Sequence, residues 1–217
     1  METQIKYVEQ KLNEYEKKGL KVFASSSFQT HSIPMLHMIS QVNPEIPVAF
    51  LDTGFHFPET LSFRDEVADQ LGLKVVNLKS SMTKLAQRDA NNKLLFASDP
   101  DYCCYLNKTL PMEVMLVEYD IWITGVRKDQ SSVRKNFNFE VPGPHGTTRF
   151  HPMLEWNSKM IYDYRTKYNL PEHPLEKLGY FSIGCGPCTR KLGADGRGGR
   201  WSGMKKTECG LHTELVK

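Results

Sequence analysis

Short β-rich runs alternate with amphipathic helical stretches along most of this chain, and no other feature limits its fold so strongly. LKVFA runs through SSSFQTHS into the apolar PMLHMIS. PVAFLDTG precedes PETLSFRDEVADQLG, a helix with proline in its first turn, and LKVVNL follows it. A further strand, DIWITG, opens into VRKDQSSVR. Strands joined through helices must cross over right-handedly and pair in parallel, so the pattern predicts an α/β fold: a mainly parallel sheet with helices on both faces. Ligands of such sheets bind beyond the carboxyl ends of the strands. The loops SSSFQT, LDTGFHFPE and TGVRKDQSSVR all leave strands at that edge.

The chain has 217 residues, enough for one such domain with appended segments. A packing helix with Ile5, Val8, Leu12 and Tyr15 at helical spacing is expected before Gly19, and another helix from Ser158 to Tyr168. The expected division is an α/β nucleotide-binding domain over residues 1–180 and a proline- and glycine-rich segment over 181–217 ending in a mobile tail. Hydrophobic residues at 40% and charged residues at 24% match a globular protein in water. No apolar run is long enough to span a bilayer, and the charged start is unlike a secretory signal. A cytoplasmic protein without membrane partners is expected.

The net charge of +3 does not by itself imply nucleic-acid binding. Basic residues nonetheless crowd between Arg190 and Lys206, against the single acid Asp195. Such a segment wants an anion or forms a solvated basic loop. SSSFQT, with Ser25, Ser26 and Ser27 between a strand and a helix, presents hydroxyls and free N–H groups where a helix dipole is positive, which suits a phosphate or an ordinary serine cap.

Five cysteines divide naturally into four and one. Cys103 and Cys104 are adjacent, Cys185 and Cys188 form a CxxC, and Cys209 stands alone in the tail. In a reducing compartment a metal site plus a free thiol is the better arithmetic, and four thiolates suit tetrahedral zinc or an iron–sulfur cluster. A zinc-stabilised nucleic-acid-binding module would use the same cysteines and the basic segment, but it leaves the strand-edge loops idle.

The serine loop, LDTG with Asp52 and Gly54, and GVRKDQSSVR with Arg127 and Arg134 together resemble the adenylyl-sulfate and phosphoadenylyl-sulfate reductases, whose adenine nucleotide alpha hydrolase-like fold is related to the ATP pyrophosphatases. Where those ATP-cleaving relatives read SGGxDS, this loop has neither the glycines nor the aspartate, which argues against ATP hydrolysis. CC with a distant CxxC is similar to the [4Fe-4S] signature of the assimilatory adenylyl-sulfate reductases, and Lys108 matches their CCxxxK pattern. RGGRW, with Arg197 and Arg200, and KKTECGLH, with Cys209 and His212, are similar to their C-terminal segment.

The resemblance implies a [4Fe-4S] cluster on Cys103, Cys104, Cys185 and Cys188. It also implies adenosine 5'-phosphosulfate as substrate, held by the strand-edge loops, with Lys108, Arg127, Arg134, Arg197 and Arg200 toward phosphate and sulfate oxygens. Cys209 would be the nucleophile, with His212 beside it, and the product would be sulfite. With four cysteines committed, Cys209 lacks a resolving partner in its own chain, so an external dithiol, thioredoxin or a similar protein, is implied. The 3'-phosphorylated nucleotide is the alternative substrate, and a homo-oligomer stays open.

Overall fold

The structure, a computed structural model, describes residues 2–131, 134–193, 199–201 and 211. The expectations for Arg197, Cys209 and His212 lie outside the described residues. Helix α1 (Glu2–Lys17) buries Val8, Leu12 and Tyr15, and Gly19 then turns the chain at φ +68°. Strand β1 (Val22–Ser25) leads to α2 (Ile33–Val42), β2 (Val48–Leu51), α3 (Pro58–Leu71) and β3 (Val75–Leu78). Short α4 (Leu95–Ser98) precedes α5 (Pro100–Cys104), a π turn (Tyr105–Thr109) and α6 (Leu110–Glu118), which run on as one helix. Strands β4 (Ile121–Thr124), β5 (Glu140–Pro142) and β6 (Thr148–Phe150) complete the sheet, and α7 (Ser158–Lys167) follows.

The sheet order is β3-β2-β1-β4-β6-β5, parallel except for antiparallel β5 at the edge. Alternation decides which face each side chain joins. Phe23, Ala49 and Trp122 pack with Met112, Met115 and Leu116 of α6. Their neighbours Ala24, Val48, Phe50, Ile121 and Ile123 point the other way, into a cluster with Val8, Met35, Phe63 and Tyr164. Each fully buried large side chain contributes roughly 1.5–3 kcal/mol by leaving water. The expected parallel sheet with two covered faces is present. Strands β5 and β6 fall in the stretch NFEVPGPHGTTRFHPMLEW, where three-residue strands leave too little alternation to read.

The chain runs outward from β1 through β2 to β3, then returns to the other side of β1 as β4. The switch point therefore lies between β1 and β4, and a crevice opens beyond Ser25 and Thr124. The long helix flanks it. Pro111 has no N–H to continue an α ladder, and just before it the Leu110 amide bonds the Tyr105 carbonyl, five residues back. This wider turn rotates the helix so that Cys103, Cys104, Asn107 and Lys108 are all buried.

The segment after α7 is stapled to α3 and to the turn before α2 by His173, which is fully buried. Its Nε2 is 3.0 Å from Thr60 Oγ1, its amide donates to Thr30 Oγ1 and its Nδ1 accepts from the Leu175 amide. Burial pushes His173 and the equally buried His151 down to about 4. A histidine lowered on folding binds its proton first in the unfolded chain, so its contribution is complete above about 6.5 and is lost as pH falls toward 4. At pH 5 each group costs about 2 kcal/mol. Urea midpoints are expected to drop between pH 7 and pH 5, with a shallower drop in His173→Gln. An unchanged slope in that variant would exclude His173 as a source.

Candidate active site

The crevice is a cavity of about 580 Å³, within the range that encloses a small ligand. Ser25, Ser26 and Ser27 form one wall. The loop turns through Phe28, a buried residue at φ +52°, a backbone region costly without glycine, and its ring packs edge-on to Phe50 at 5.9 Å. The Ser26 hydroxyl accepts from the Phe28 amide and donates to Ser32 Oγ, and Ser25 Oγ accepts from the Trp122 indole at 2.7 Å. The serines thus brace the loop as well as facing the cavity.

The cavity is also lined by cations. Lys108, Arg127, Arg134 and Arg200 all line the cavity. Arg127 is 4% exposed; its Nε meets Asp129 at 3.0 Å, while Nη1 is buried without a partner among the described residues. A buried donor left unsatisfied costs about 1–3 kcal/mol, which an anion in the cavity would recover. Lys108, which the sequence leaves open to being a surface residue, is only 7% exposed and reaches both this cavity and the pocket behind it.

Arg200 arrives by a different route. Strands β7 (Thr189–Arg190) and β8 (Gly199–Arg200) pair antiparallel and carry it back over the crevice. Its guanidinium stacks on Trp201 at 4.4 Å, its Nε is buried without a partner among the described residues, and it lies so close to Gly184 that a β-carbon there would collide with it. A larger residue at 184 would force the arginine to shift.

Asp52 and Gly54 are not on the cavity wall. Asp52 closes the turn after β2 by accepting from the Gly54 amide at 3.1 Å and pairing with Lys79 at 3.1 Å. Burial alone would raise its carboxyl, but these two bonds outweigh it and hold the group below its usual range. Gly54 adopts φ +71° beneath the Lys84 side chain, whose ammonium donates to the Gly54 carbonyl at 2.7 Å. Both residues shape the loop that presents their neighbours.

Those neighbours were not singled out from the sequence. Thr53 Oγ1 lies 3.2 Å from Cys185 Sγ, the Gly186 amide donates to the Phe55 carbonyl, and His56 bridges Cys185 through the backbone. The His56 imidazole donates from Nε2 to the Leu51 carbonyl at 2.8 Å, which leaves Nδ1 an acceptor, buried without a partner among the described residues. Burial lowers its pKa, and nearby Lys108 and Arg200 lower it further, although the Leu51 bond and Asp52 oppose them. The motif LDTGFHF was the available signal, but nothing in it announces a contact to a cysteine far along the chain.

Behind the cavity lies a smaller apolar pocket on which Cys103, Cys104, Cys185 and Cys188 converge. All four are free thiols. Burial, then the neighbouring Cys104, Cys185 and Cys188, pushes Cys103 up to about 12, while a hydrogen bond from Asn107 to its sulfur opposes them. Among the described residues, no group of three or more His, Cys, Asp or Glu side chains is disposed as it stands to hold a metal ion. Four soft donors facing one another across a pocket fit a polynuclear cluster, and their mutual repulsion as thiolates would be relieved by one.

The phosphoadenosine phosphosulfate reductase domain matches residues 21–191. A protein named adenosine 5'-phosphosulfate reductase from Chelativorans sp. (strain BNC1) is 42% identical over 211 residues, 94% of this chain and 84% of the relative. A protein of the same name from Halalkalibacterium halodurans is 40% identical over 91% of this chain and 87% of its own length. In fold, the phosphoadenylyl-sulfate reductase of Candida auris is similar with a TM-score of 0.68 at 22% identity, covering 82% of this chain and 87% of that one. With its switch-point cavity and its matched region running from β1 through the CxxC, this chain belongs to the phosphoadenosine phosphosulfate reductase domain family, alongside relatives named adenosine 5'-phosphosulfate reductase.

Proposed function

We propose that this chain reduces adenosine 5'-phosphosulfate to sulfite and AMP in sulfate assimilation, with a dithiol protein of the thioredoxin type as reductant. The observation that carries this reading is the cavity itself: a nucleotide-sized crevice at the switch point, with buried cationic donors at one side and four converging thiols behind Lys108. The names of the 40%-identical relatives favour the nucleotide without a 3'-phosphate.

In this reading Ser25, Ser26 and Ser27 and the LDTG turn, shaped by Asp52 and Gly54, hold the AMP portion. Lys108, Arg127, Arg134, Arg197 and Arg200 neutralise the phosphate and sulfonyl oxygens through charge-assisted hydrogen bonds. The Cys209 thiolate attacks sulfur, so an S–S bond forms as the S–O bond to phosphate breaks, and AMP leaves with the bonding pair. A thiolate of the external dithiol then attacks Cys209 Sγ and expels sulfite. Its second thiol resolves the mixed disulfide, so the dithiol supplies both electrons that take the sulfur from sulfate to sulfite. His212 is placed by sequence to orient or deprotonate Cys209.

Cys103, Cys104, Cys185 and Cys188 would hold a [4Fe-4S] cluster. When bound, it supplies a rigid tie between the long helix and the 181–217 segment and an electron-rich neighbour for Lys108. The segment 181–217 is thereby a cluster-anchored arm carrying the catalytic tail, outside the 1–180 nucleotide-binding domain. A reducing cytoplasm suits both the free thiols and the dithiol donor.

The test compares rates with adenosine 5'-phosphosulfate and its 3'-phosphorylated form, each with thioredoxin. The expected result is a kcat/KM at least about tenfold higher for the first, because a 3'-phosphate taken out of water without a built partner opposes binding. Equal values, or a preference for the second, would remove this substrate assignment.

A further inference from the structure

The loop between β3 and α4 reaches inward at one residue. From Ser81 to Lys93 every residue is exposed except half-buried Asp89 and Gln87, which is only 2% exposed. For burial alone a glutamine is a poor choice there, because leucine would fill the place without an amide to satisfy. The partner of Gln87 is Asn107, equally buried, in the π turn that carries Lys108. Asn107 also lines the pocket of the four cysteines.

The two amides bind each other reciprocally. Gln87 Nε2 donates to Asn107 Oδ1 at 3.0 Å, and Asn107 Nδ2 donates to Gln87 Oε1 at 2.6 Å. Such a pair can sit two ways round, and a third group decides between them. The Met82 carbonyl, which can only accept, takes the other Gln87 Nε2 proton at 3.0 Å. This fixes which end of Gln87 faces Met82, and so which end of Asn107 faces Gln87. The second Asn107 proton is thereby aimed at Cys103: Nδ2 lies 2.8 Å from the Cys103 carbonyl and 3.6 Å from its sulfur, within hydrogen-bond reach of that larger atom.

We infer that Gln87 and Asn107 are positioning residues for the four-cysteine centre, the amide pair presenting an N–H of fixed direction to Cys103 while tying the exposed loop to the turn of Lys108. This rests on the reading of Cys103, Cys104, Cys185 and Cys188 as cluster ligands. A donor on a ligating sulfur draws electron density from it, offsets the negative charge of four thiolates and slightly weakens that sulfur's bond to iron. Neither residue lines the nucleotide cavity, and both act through Cys103.

The experiment uses the iron-loaded protein and the variants Asn107→Leu and Gln87→Met, each close to the original in size. Resonance Raman spectra read the Fe–S(Cys) stretch, and the transfer of iron to an excess of a ferrous chelator is timed. The expected result in Asn107→Leu is an upward shift of the stretch and roughly tenfold faster iron transfer. Gln87→Met, one residue removed from the cysteines, should show smaller changes of the same sign. A tie that only held the loop would hasten iron loss without moving the stretch, so an unmoved stretch in both variants overturns the inference. If Asn107→Leu loads no iron, Gln87→Met decides alone on the same criterion. Limited trypsin digestion separates this from the ligand reading. Should the native chain bind no iron, that reading falls, yet the amide pair still requires faster cutting after Lys84 and Arg88 in Gln87→Met, and equal cutting overturns the pair as well.

Discussion

Replacing Cys209 by serine is expected to abolish turnover, with kcat lower by at least about 10³-fold, and to eliminate the sulfonate adduct. The argument is one of nucleophile strength. A thiol ionises far more readily than a serine hydroxyl, and the thiolate is the stronger nucleophile toward sulfur. Serine is nearly isosteric, and the cavity's Lys108, Arg127, Arg134 and Arg200 are untouched, so AMP should bind with unchanged affinity. Mass spectrometry after incubation with nucleotide alone, beside AMP calorimetry, reads both. An adduct that survived in Cys209→Ser would move the nucleophile to one of the four cysteines of the buried pocket.

Cys185→Ser is expected to be nearly as damaging by a different route. Cys185 joins three elements: its sulfur meets Thr53 Oγ1, its backbone pairs with His56, and its side chain faces Cys103, Cys104 and Cys188. Losing one of four donors is expected to cost most of the bound iron and sulfide, bleach the brown colour, and lower activity by about 100-fold or more, since altering a metal's surroundings alone costs about 10–100-fold. Thr53→Val keeps all four thiols and removes only the hydrogen bond to sulfur, so it should retain iron with a smaller loss of activity. Full iron occupancy in Cys185→Ser, measured by iron and acid-labile sulfide analysis, would refute the four-cysteine assignment.

The sites differ in how far they could be read from the chain. The strands at Val22–Ser25, Val48–Leu51, Val75–Leu78 and Ile121–Thr124 were legible because short β-rich runs alternate with longer helical ones. The three-residue strands at Glu140–Pro142 and Thr148–Phe150 were not, since too few residues alternate and proline and glycine surround them. Ser25 to Ser27, Arg127, Arg134 and Arg200 were picked out by type and motif, and they do share one cavity. Asp52 and Gly54 were picked out by the same means, yet they build the turn and stand off the wall. A motif records which residues a loop needs; it does not say which of them face the ligand.

By itself the sequence determined the alternating α/β order, the loops that leave the sheet at one edge, and the division of five cysteines into four and one. These follow from local rules: side-chain period, turn chemistry and counting. Only the tertiary structure decided that Lys108 is buried, because that depends on a π turn ahead of Pro111 rotating the helix inward. Only it decided that Thr53 meets Cys185, that Gly184 makes room for Arg200, and that Leu211 seats on the cavity wall. Each of these joins residues far apart in the chain, and what brings them together is the packing of the whole sheet and its covering helices, which no single stretch of the sequence contains.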